Sequence, residues 1–243
     1  FLDELKAEFE EIRNIAVKRT RERKLQDFQK KLSTLTFLDP ACGSGNFLTE
    51  TYLSLRRLEN EILQELQGGQ MVLGYDNMNP IQVSISQFYG IEINDFAVTV
   101  AKTALWIAES QMMKETESIV LMHLDFLPLK TNAFIHEGNA LQVDWESVIP
   151  KYQLSYIMGN PPFVARAGRT KAKDSSSKGM LDDTQKTDRL NVFGEDLGNV
   201  DYVACWFKKA AVFTKNTAIR CAFVATDSIC QGQQIYPIWK NIL

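Results

Sequence analysis

The chain has 243 residues, 45% of them hydrophobic and 23% charged, enough apolar material to bury the core of one large domain or at most two. A formal net charge of -3 excludes the strongly basic balance of a domain that grips DNA through its phosphates unaided, so such affinity would need a local basic patch or sequence elsewhere. Four widely spaced cysteines and two histidines, without a C-x-x-C pair, argue against a disulfide framework and against a metal site. No apolar run reaches the roughly 18–20 residues of a membrane span and no signal peptide opens the chain, so the expectation is a cytoplasmic protein with reduced thiols and no membrane partner. A start at Phe1 rather than Met reads as a piece of something longer.

Residues 1–32 predict a helix, because Leu2, Leu5, Phe9, Ile12 and Ala16 recur at helical spacing among many charges. Lys18, Arg19, Arg21, Arg23 and Lys24 cluster there and read as a solvated face before a DNA contact. From residue 35 the pattern changes. Apolar runs at 35–38, 88–93, 133–136, 154–158 and 219–225 alternate with helical stretches at 46–67, 95–113 and 201–214. Such alternation predicts an α/β fold: a doubly wound, mostly parallel Rossmann-like sheet with flanking helices, its site at the carboxyl ends of the strands. The domain division expected is an N-terminal helical segment over 1–34 and a core over 35–243. Residues 67–80 read as a long loop. Residues 165–198, polar, glycine-bearing and without periodicity, read as an irregular excursion beside the site.

Two turns carry chemistry. The segment Phe37-Leu38-Asp39-Pro40-Ala41-Cys42-Gly43-Ser44-Gly45-Asn46-Phe47 follows a strand and opens a helix. Gly43 and Gly45 allow a tight backbone and close approach to a ligand, the helix offers free N–H groups, and Asp39 can accept from an ammonium or from the loop's own amides. Leu48 stands where the dinucleotide fingerprint needs its third glycine, and no G-K-[ST] follows, so neither that motif nor a P-loop fits. Glu92, ending the second strand, is placed to take both hydroxyls of a ribose, though it lies 47 residues beyond Gly45.

The second turn is Gly159-Asn160-Pro161-Pro162-Phe163, ending the fourth apolar run. Consecutive prolines stiffen it and remove two backbone donors, leaving outward carbonyls beside an amide and an aromatic ring. Stiff acceptors and a stacking surface suit a planar group bearing an NH₂.

With these two turns on the page, the chain resembles the class I S-adenosylmethionine-dependent amino-group DNA methyltransferases. Their cofactor motif is degenerate here, as Asp39 to Phe47; their [DNS]-P-P-[YFW] catalytic motif is Asn160 to Phe163. Cofactor motif before catalytic motif is the gamma order, and the N-P-P-F form implies adenine N6. Gly138-Asn139-Ala140-Leu141 resembles the segment that contacts the cofactor's adenine. Thr226 through Gln234 is similar to the fifth-strand region of fused type II (MmeI-like, type IIL) restriction–modification enzymes. The resemblance covers roughly residues 36–240. It implies cofactor contacts at Asp39, Ala41, Cys42, Gly43, Gly45, Phe47, Glu92, Asn139 and Ala140, and catalytic roles for Asn160, Pro161, Pro162 and Phe163. The cofactor implied is S-adenosyl-L-methionine without a metal, and the partner is double-stranded DNA with a flipped adenine. Recognition and nuclease domains would sit on other parts of the parent chain.

Methyl transfer from a sulfonium needs alignment more than acid–base help, so neither His123 nor His136 is expected to act. The basic residues Arg166, Arg169, Lys171, Lys173, Lys178, Lys186 and Arg189 suit either a phosphate-contacting loop or a plain surface loop. Asp201 reads as a helix cap, and Trp206 and Phe207 as core before ligand contacts, while the resemblance implies that residues 201–207 pack behind the cofactor pocket or line it. Rival functions are a protein-glutamine N5 methyltransferase, which also acts on a planar nitrogen, and an inactive cofactor-binding scaffold.

Overall fold

The computed structural model describes residues 1–67, 80–121, 124, 132–164, 181–194 and 200–240. The loop expected at 67–80, the basic residues from Arg166 to Lys178, and His123 therefore lie outside the described residues, save for 67 and 80 themselves.

Five short strands make one sheet: β1 (Phe37–Asp39), β2 (Phe88–Glu92), β3 (Phe134–Glu137), β4 (Tyr156–Gly159) and β5 (Arg220–Phe223). Their order is β3-β2-β1-β4-β5, and β4 runs parallel to β5 with Ile157 opposite Cys221. The chain winds outward from β1 to β3 and then returns to β4 on the other side. That reversal puts the topological switch point between β1 and β4, where doubly wound sheets hold their ligands. The expected α/β architecture is the one that forms, with helices ahead of it.

Two compact units divide the chain: Phe1–Phe37, Gly43–Tyr89 and Phe96–Ile135 make the first, and Leu38–Cys42, Gly90–Asp95 and His136–Leu243 the second. The first is mainly helical, with α1 (Leu2–Arg13), α2 (Lys18–Thr34), α3 (Asn46–Gln67) and nearly all of α4 (Asp95–Val120). The single helix predicted over 1–32 is in fact two, broken at 14–17. One long amphipathic helix would leave part of its apolar stripe in water. Broken, it buries Leu5, Phe9 and Ile12 of α1 and Leu25, Phe28 and Leu32 of α2, with the Phe9 and Phe28 rings stacked at 6.4 Å. Each such side chain contributes roughly 1.5–3 kcal/mol. The Asn14 side chain closes α1 by donating to the Glu10 carbonyl at 2.8 Å.

A buried polar network fixes α2, α3 and α4 together. Arg56 pairs with Glu59 and donates to Thr116 at 2.6 Å, and Thr116 donates to Asn60 at 2.7 Å. Glu59 also accepts from the Gln29 amide at 2.8 Å and the Gln82 N–H at 2.7 Å. These partners offset much of the cost of taking the ion pair out of water, although Arg56 Nε and Asn60 Nδ2 are buried without a hydrogen bond.

The second unit holds α5 (Trp145–Val148), α6 (Asp183–Phe193), α7 (Ala204–Thr214) and α8 (Ile235–Trp239). The edge of Trp145 meets Phe213 of α7 at 5.6 Å, and Phe207 packs between Phe223 of β5 and Trp239 of α8. Two local expectations change here. Within the supposedly irregular 165–198, residues 183–193 form α6, started by a capping box in which Asp182 accepts from the Gln185 N–H at 2.7 Å. Gly194, at φ +55° and ψ -129°, closes it in a positive-φ conformation open to glycine. At α7, Val203 occupies the N-cap without a side-chain cap bond, and the Asp201 carboxylate instead accepts from Ser228 at 2.9 Å and Gln234 at 2.8 Å.

Candidate functional site

β1 delivers Asp39 to its carboxyl end, where the side chain is 1% exposed. Its Oδ1 accepts the Ala41 N–H at 2.9 Å, closing the turn. Gly159 ends the adjacent β4, and a Cβ there would stand 2.3 Å from that same oxygen. Only glycine lets the Asp39 carboxylate lie against β4. Burial raises the Asp39 pKa to about 7, with the charge of Glu92 adding to the rise and the Ala41 N–H opposing it. Cys42, buried in the same turn, has its thiol pushed up, first by burial and then by Asp39 and Glu92, which leaves it un-ionised and inert at neutral pH.

Backbone contacts hold this turn open toward one side. The Cys42 N–H donates to Ile91 O of β2 at 3.1 Å, the Gly138 N–H to Glu92 O at 2.8 Å, and the Trp206 indole N–H to Pro40 O at 3.1 Å. Strand ends β1, β2 and β3 and helix α7 are thereby fixed around a cavity of about 430 Å³ within the second unit. That volume falls in the range of small-molecule sites.

The chemistry of the wall is one-sided. Glu92, Asp182 and Asp188 supply three carboxylates, and among the described residues no lysine or arginine lines the cavity. Asn139, Asn160 and Gln185 add side-chain amides, while Ile91, Ile93, Pro162 and Trp206 add apolar surface. Such a wall disfavours phosphates and suits a neutral or cationic ligand with an apolar, planar part. A larger concavity of about 570 Å³ between α1 and α2 mixes Glu8, Glu11 and Asp27 with Lys24 and Lys31, so charges of both signs share its wall instead of one sign converging on a ligand.

Of the residues singled out in the sequence, Ala41, Glu92, Asn139, Ala140, Asn160 and Pro162 line this one cavity. Asp39, Cys42 and Pro161 are buried and do not line it, and Phe163 is 45% exposed. Gly43, Gly45 and Phe47 belong to the first unit. There Gly45 takes φ +81°, and a Cβ on it would come within 3.0 Å of Ala101 on α4, so both backbone conformation and close helix approach require glycine. Gly43, at φ +53°, has open space around it. Phe47 sits on the first turn of α3, 39% exposed.

Sequence reasoning gave no site role to Gly159 or Asp188; Trp206 is buried as expected, at 4% exposure, and with Tyr202 it also lines the cavity. Phe207 does pack internally. The one legible signal for α6 was Asp182-x-x-Gln185, a capping-box spacing. Among the described residues no group of His, Cys, Asp or Glu is arranged to hold a metal ion, no disulfide joins the four cysteines, and no helix is long and apolar enough to cross a membrane.

Comparison with known proteins agrees with this geometry. Residues 15–243 match the family described as MmeI, DNA-methyltransferase domain. DNA methyltransferase A of Bacillus subtilis (strain 168) is 38% identical over 224 residues, which are 90% of this chain and 24% of that protein. The chain thus spans about a quarter of the length of that relative. The structure of the type IIL restriction–modification enzyme MmeI in complex with DNA superposes with a TM-score of 0.84 at 42% identity, covering all of this chain and 30% of that one. The ATP-dependent type ISP restriction–modification enzyme LlaBIII, bound to DNA, shares the fold alone, at 13% identity and a TM-score of 0.51 over 86% of this chain and 14% of that one. The chain belongs to the MmeI DNA-methyltransferase domain family.

Proposed function

We propose that the chain binds S-adenosyl-L-methionine in the carboxylate-lined cavity and transfers its methyl group to N6 of an adenine flipped out of double-stranded DNA. It would do so in the cytoplasm, as the methyltransferase part of a restriction–modification enzyme whose recognition and nuclease domains lie on the rest of the parent chain. The observation that carries this reading is the cavity wall: three carboxylates, no cation among the described residues, and Asn160 and Pro162 on its rim. A sulfonium and an ammonium on one ligand fit that charge, and the apolar surface of Ile91, Ile93 and Trp206 fits its purine.

When bound, the cofactor supplies an electrophilic methyl group on positively charged sulfur. The residues of the chain supply position and charge. Glu92, at the end of β2, accepts the ribose hydroxyls, and Asn139 and Ala140 flank the base. Pro40 and Ala41, in the turn that Asp39 closes from behind, face the amino-acid end. Asn160 Oδ1 and the Pro161 carbonyl accept the two N6 hydrogens of the target adenine. These bonds draw the nitrogen's lone pair out of the ring and strengthen as that nitrogen becomes positive, which is the condition for lowering a barrier. The N6 proton then leaves to solvent. Pro162 keeps the turn rigid, and Phe163 stacks on the flipped base, which cannot be reached inside the duplex.

The test is methylation sequencing of DNA from cells expressing the full-length protein beside the same protein carrying Asn160→Ala. Expected is N6-methyladenine in one sequence context, lost at least about a hundredfold in the variant while calorimetric binding of S-adenosylhomocysteine persists. Methylated cytosine N4, or a methylated protein glutamine with unmodified DNA, would refute the assignment.

A further inference from the structure

The turn after β3, residues 138–143, is gripped by two charged side chains from different helices. Asp188 of α6, 1% exposed, accepts from the Asn139 amide at 2.8 Å, the Gln142 amide at 2.8 Å and the Tyr202 hydroxyl at 3.1 Å. Lys209 of α7 donates to three carbonyls of the same turn: Ala140 at 2.8 Å, Leu141 at 3.0 Å and Val143 at 2.6 Å. Within the turn, Asn139 Oδ1 accepts the Leu141 N–H at 2.9 Å, and Ala140 O accepts the Trp145 indole N–H at 2.9 Å. The Lys209 ammonium also lies 5.5 Å from the Trp145 ring centre.

The chemistry of these partners leaves the Asn139 amide one orientation. An ionised carboxylate only accepts and a backbone N–H only donates, so the NH₂ must face Asp188 and the oxygen must face Leu141. A half-exposed amide with mismatched neighbours would flip between two edges. This one cannot, and it stands in the cavity wall beside Asp188.

The same bonds seat α6. That helix buries only Asp188 and Phe193, yet its first turn gives Thr184 and Gln185 to the cavity wall, with the cap Asp182 beside them. With so little apolar area to hold it, its docking depends on the three donors that converge on Asp188. One carboxylate thus holds both the 138–143 turn and the α6 side of the cavity.

We propose that Asp188 is a positioning residue, which sets the edge that Asn139 presents to the base of the cofactor and ties α6 to the cavity, with Lys209 as its cationic counterpart on the turn's carbonyls. This rests on the cofactor reading above. Lys209 does not line the cavity, so any effect it has on the ligand must pass through the turn.

The experiment compares Asp188→Asn and Lys209→Met with wild type in the full-length protein. Calorimetry with S-adenosylhomocysteine gives Kd, and steady-state methylation gives KM for cofactor, KM for DNA and kcat. Hydrogen bonds to charged groups set the expected scale: about tenfold or more weaker binding for Asp188→Asn, and several-fold for Lys209→Met. At saturating cofactor, kcat should stay within about threefold and KM for DNA should not move. A merely structural role would lower kcat and the melting temperature without that split. Cofactor affinity within twofold of wild type in both variants overturns the inference, as does a fall in kcat with KM unchanged. If Asp188→Asn does not fold, Lys209→Met decides alone. Wild type failing to bind S-adenosylhomocysteine would instead overturn the cofactor reading, which separates the two failures.

Discussion

Glu59 in the first unit and Asp39 in the second are both buried carboxylates, 0% and 1% exposed, and they are held in opposite ways. Glu59 has a guanidinium from Arg56, an amide from Gln29 and backbone N–H groups from Gln82 and Val83. Asp39 has the Ala41 N–H and, nearby, the repelling charge of Glu92. The first acid is fully compensated inside the protein and serves the fold. The second is under-compensated directly behind Pro40 and Ala41, which line a cavity. Buried charge in a core organises helices; buried charge left short of partners at a strand end marks a site.

The largest expected effect lies on the compensated side. Arg56→Met leaves Glu59 as a buried carboxylate without its cation and should destabilise by about 3–5 kcal/mol. For a chain of this length, that lowers the melting temperature on the order of 10 °C. Combining it with Glu59→Gln keeps an acceptor for Gln29 and Gln82 while removing the charge, and should recover part of the loss. Cofactor Kd at low temperature should be unchanged in the double variant. Calorimetric melting and binding check both, and a matching collapse of binding would erase the contrast between the two acids.

On the under-compensated side the sign reverses. The folded Asp39 value near 7 lies above the roughly 3.9 of an unfolded chain, so between those values the unfolded state releases its proton while the folded state keeps it. Stability therefore falls as pH rises from about 4 to about 7 and is flat beyond. Asp39→Asn keeps an oxygen for the Ala41 N–H and has no charge to bury. By pH 8 it should be more stable than wild type by on the order of 2–4 kcal/mol, a gap that closes toward pH 4. Cofactor affinity should fall in the same variant, a trade of function for stability. A gap independent of pH in melting scans would show that Asp39 ionises normally.

Both motif turns were legible because their chemistry is local. Asp39 to Gly45 and Asn160 to Phe163 each carry their meaning in a few consecutive residues, and periodicity found all five strands. What stayed hidden depends on distance along the chain. Asp188 meets Asn139 and Gln142 from 49 and 46 residues away, and it sits in a helix with two buried residues, too few to leave an apolar period. Gly159 looks like any glycine until β4 lies beside β1 and the Asp39 carboxylate fills the space of its missing side chain. The break between α1 and α2 is likewise tertiary: helical spacing continues into residue 16, while in the fold Phe9 of α1 stacks on Phe28 of α2. Trp206 shows why an aromatic in a helix is ambiguous, since this α7 residue is 4% exposed and also lines the cavity.

Phe163 gives the smallest effect and the sharpest separation of fold from function. At 45% exposure it contributes little to the core, so Phe163→Ala should leave the melting temperature within about one degree of wild type. Stacking of a base on an aromatic ring is worth about 1–3 kcal/mol, which corresponds to roughly 5- to 150-fold in capture of the flipped base. With 2-aminopurine at the target position, the fluorescence rise on binding should shrink and KM for DNA should grow, while Kd for S-adenosylhomocysteine holds. The opposite pattern, a lowered melting temperature with normal fluorescence, would make Phe163 a packing residue. It would also leave the Asn160 turn without the surface that brings adenine N6 within reach of the cavity.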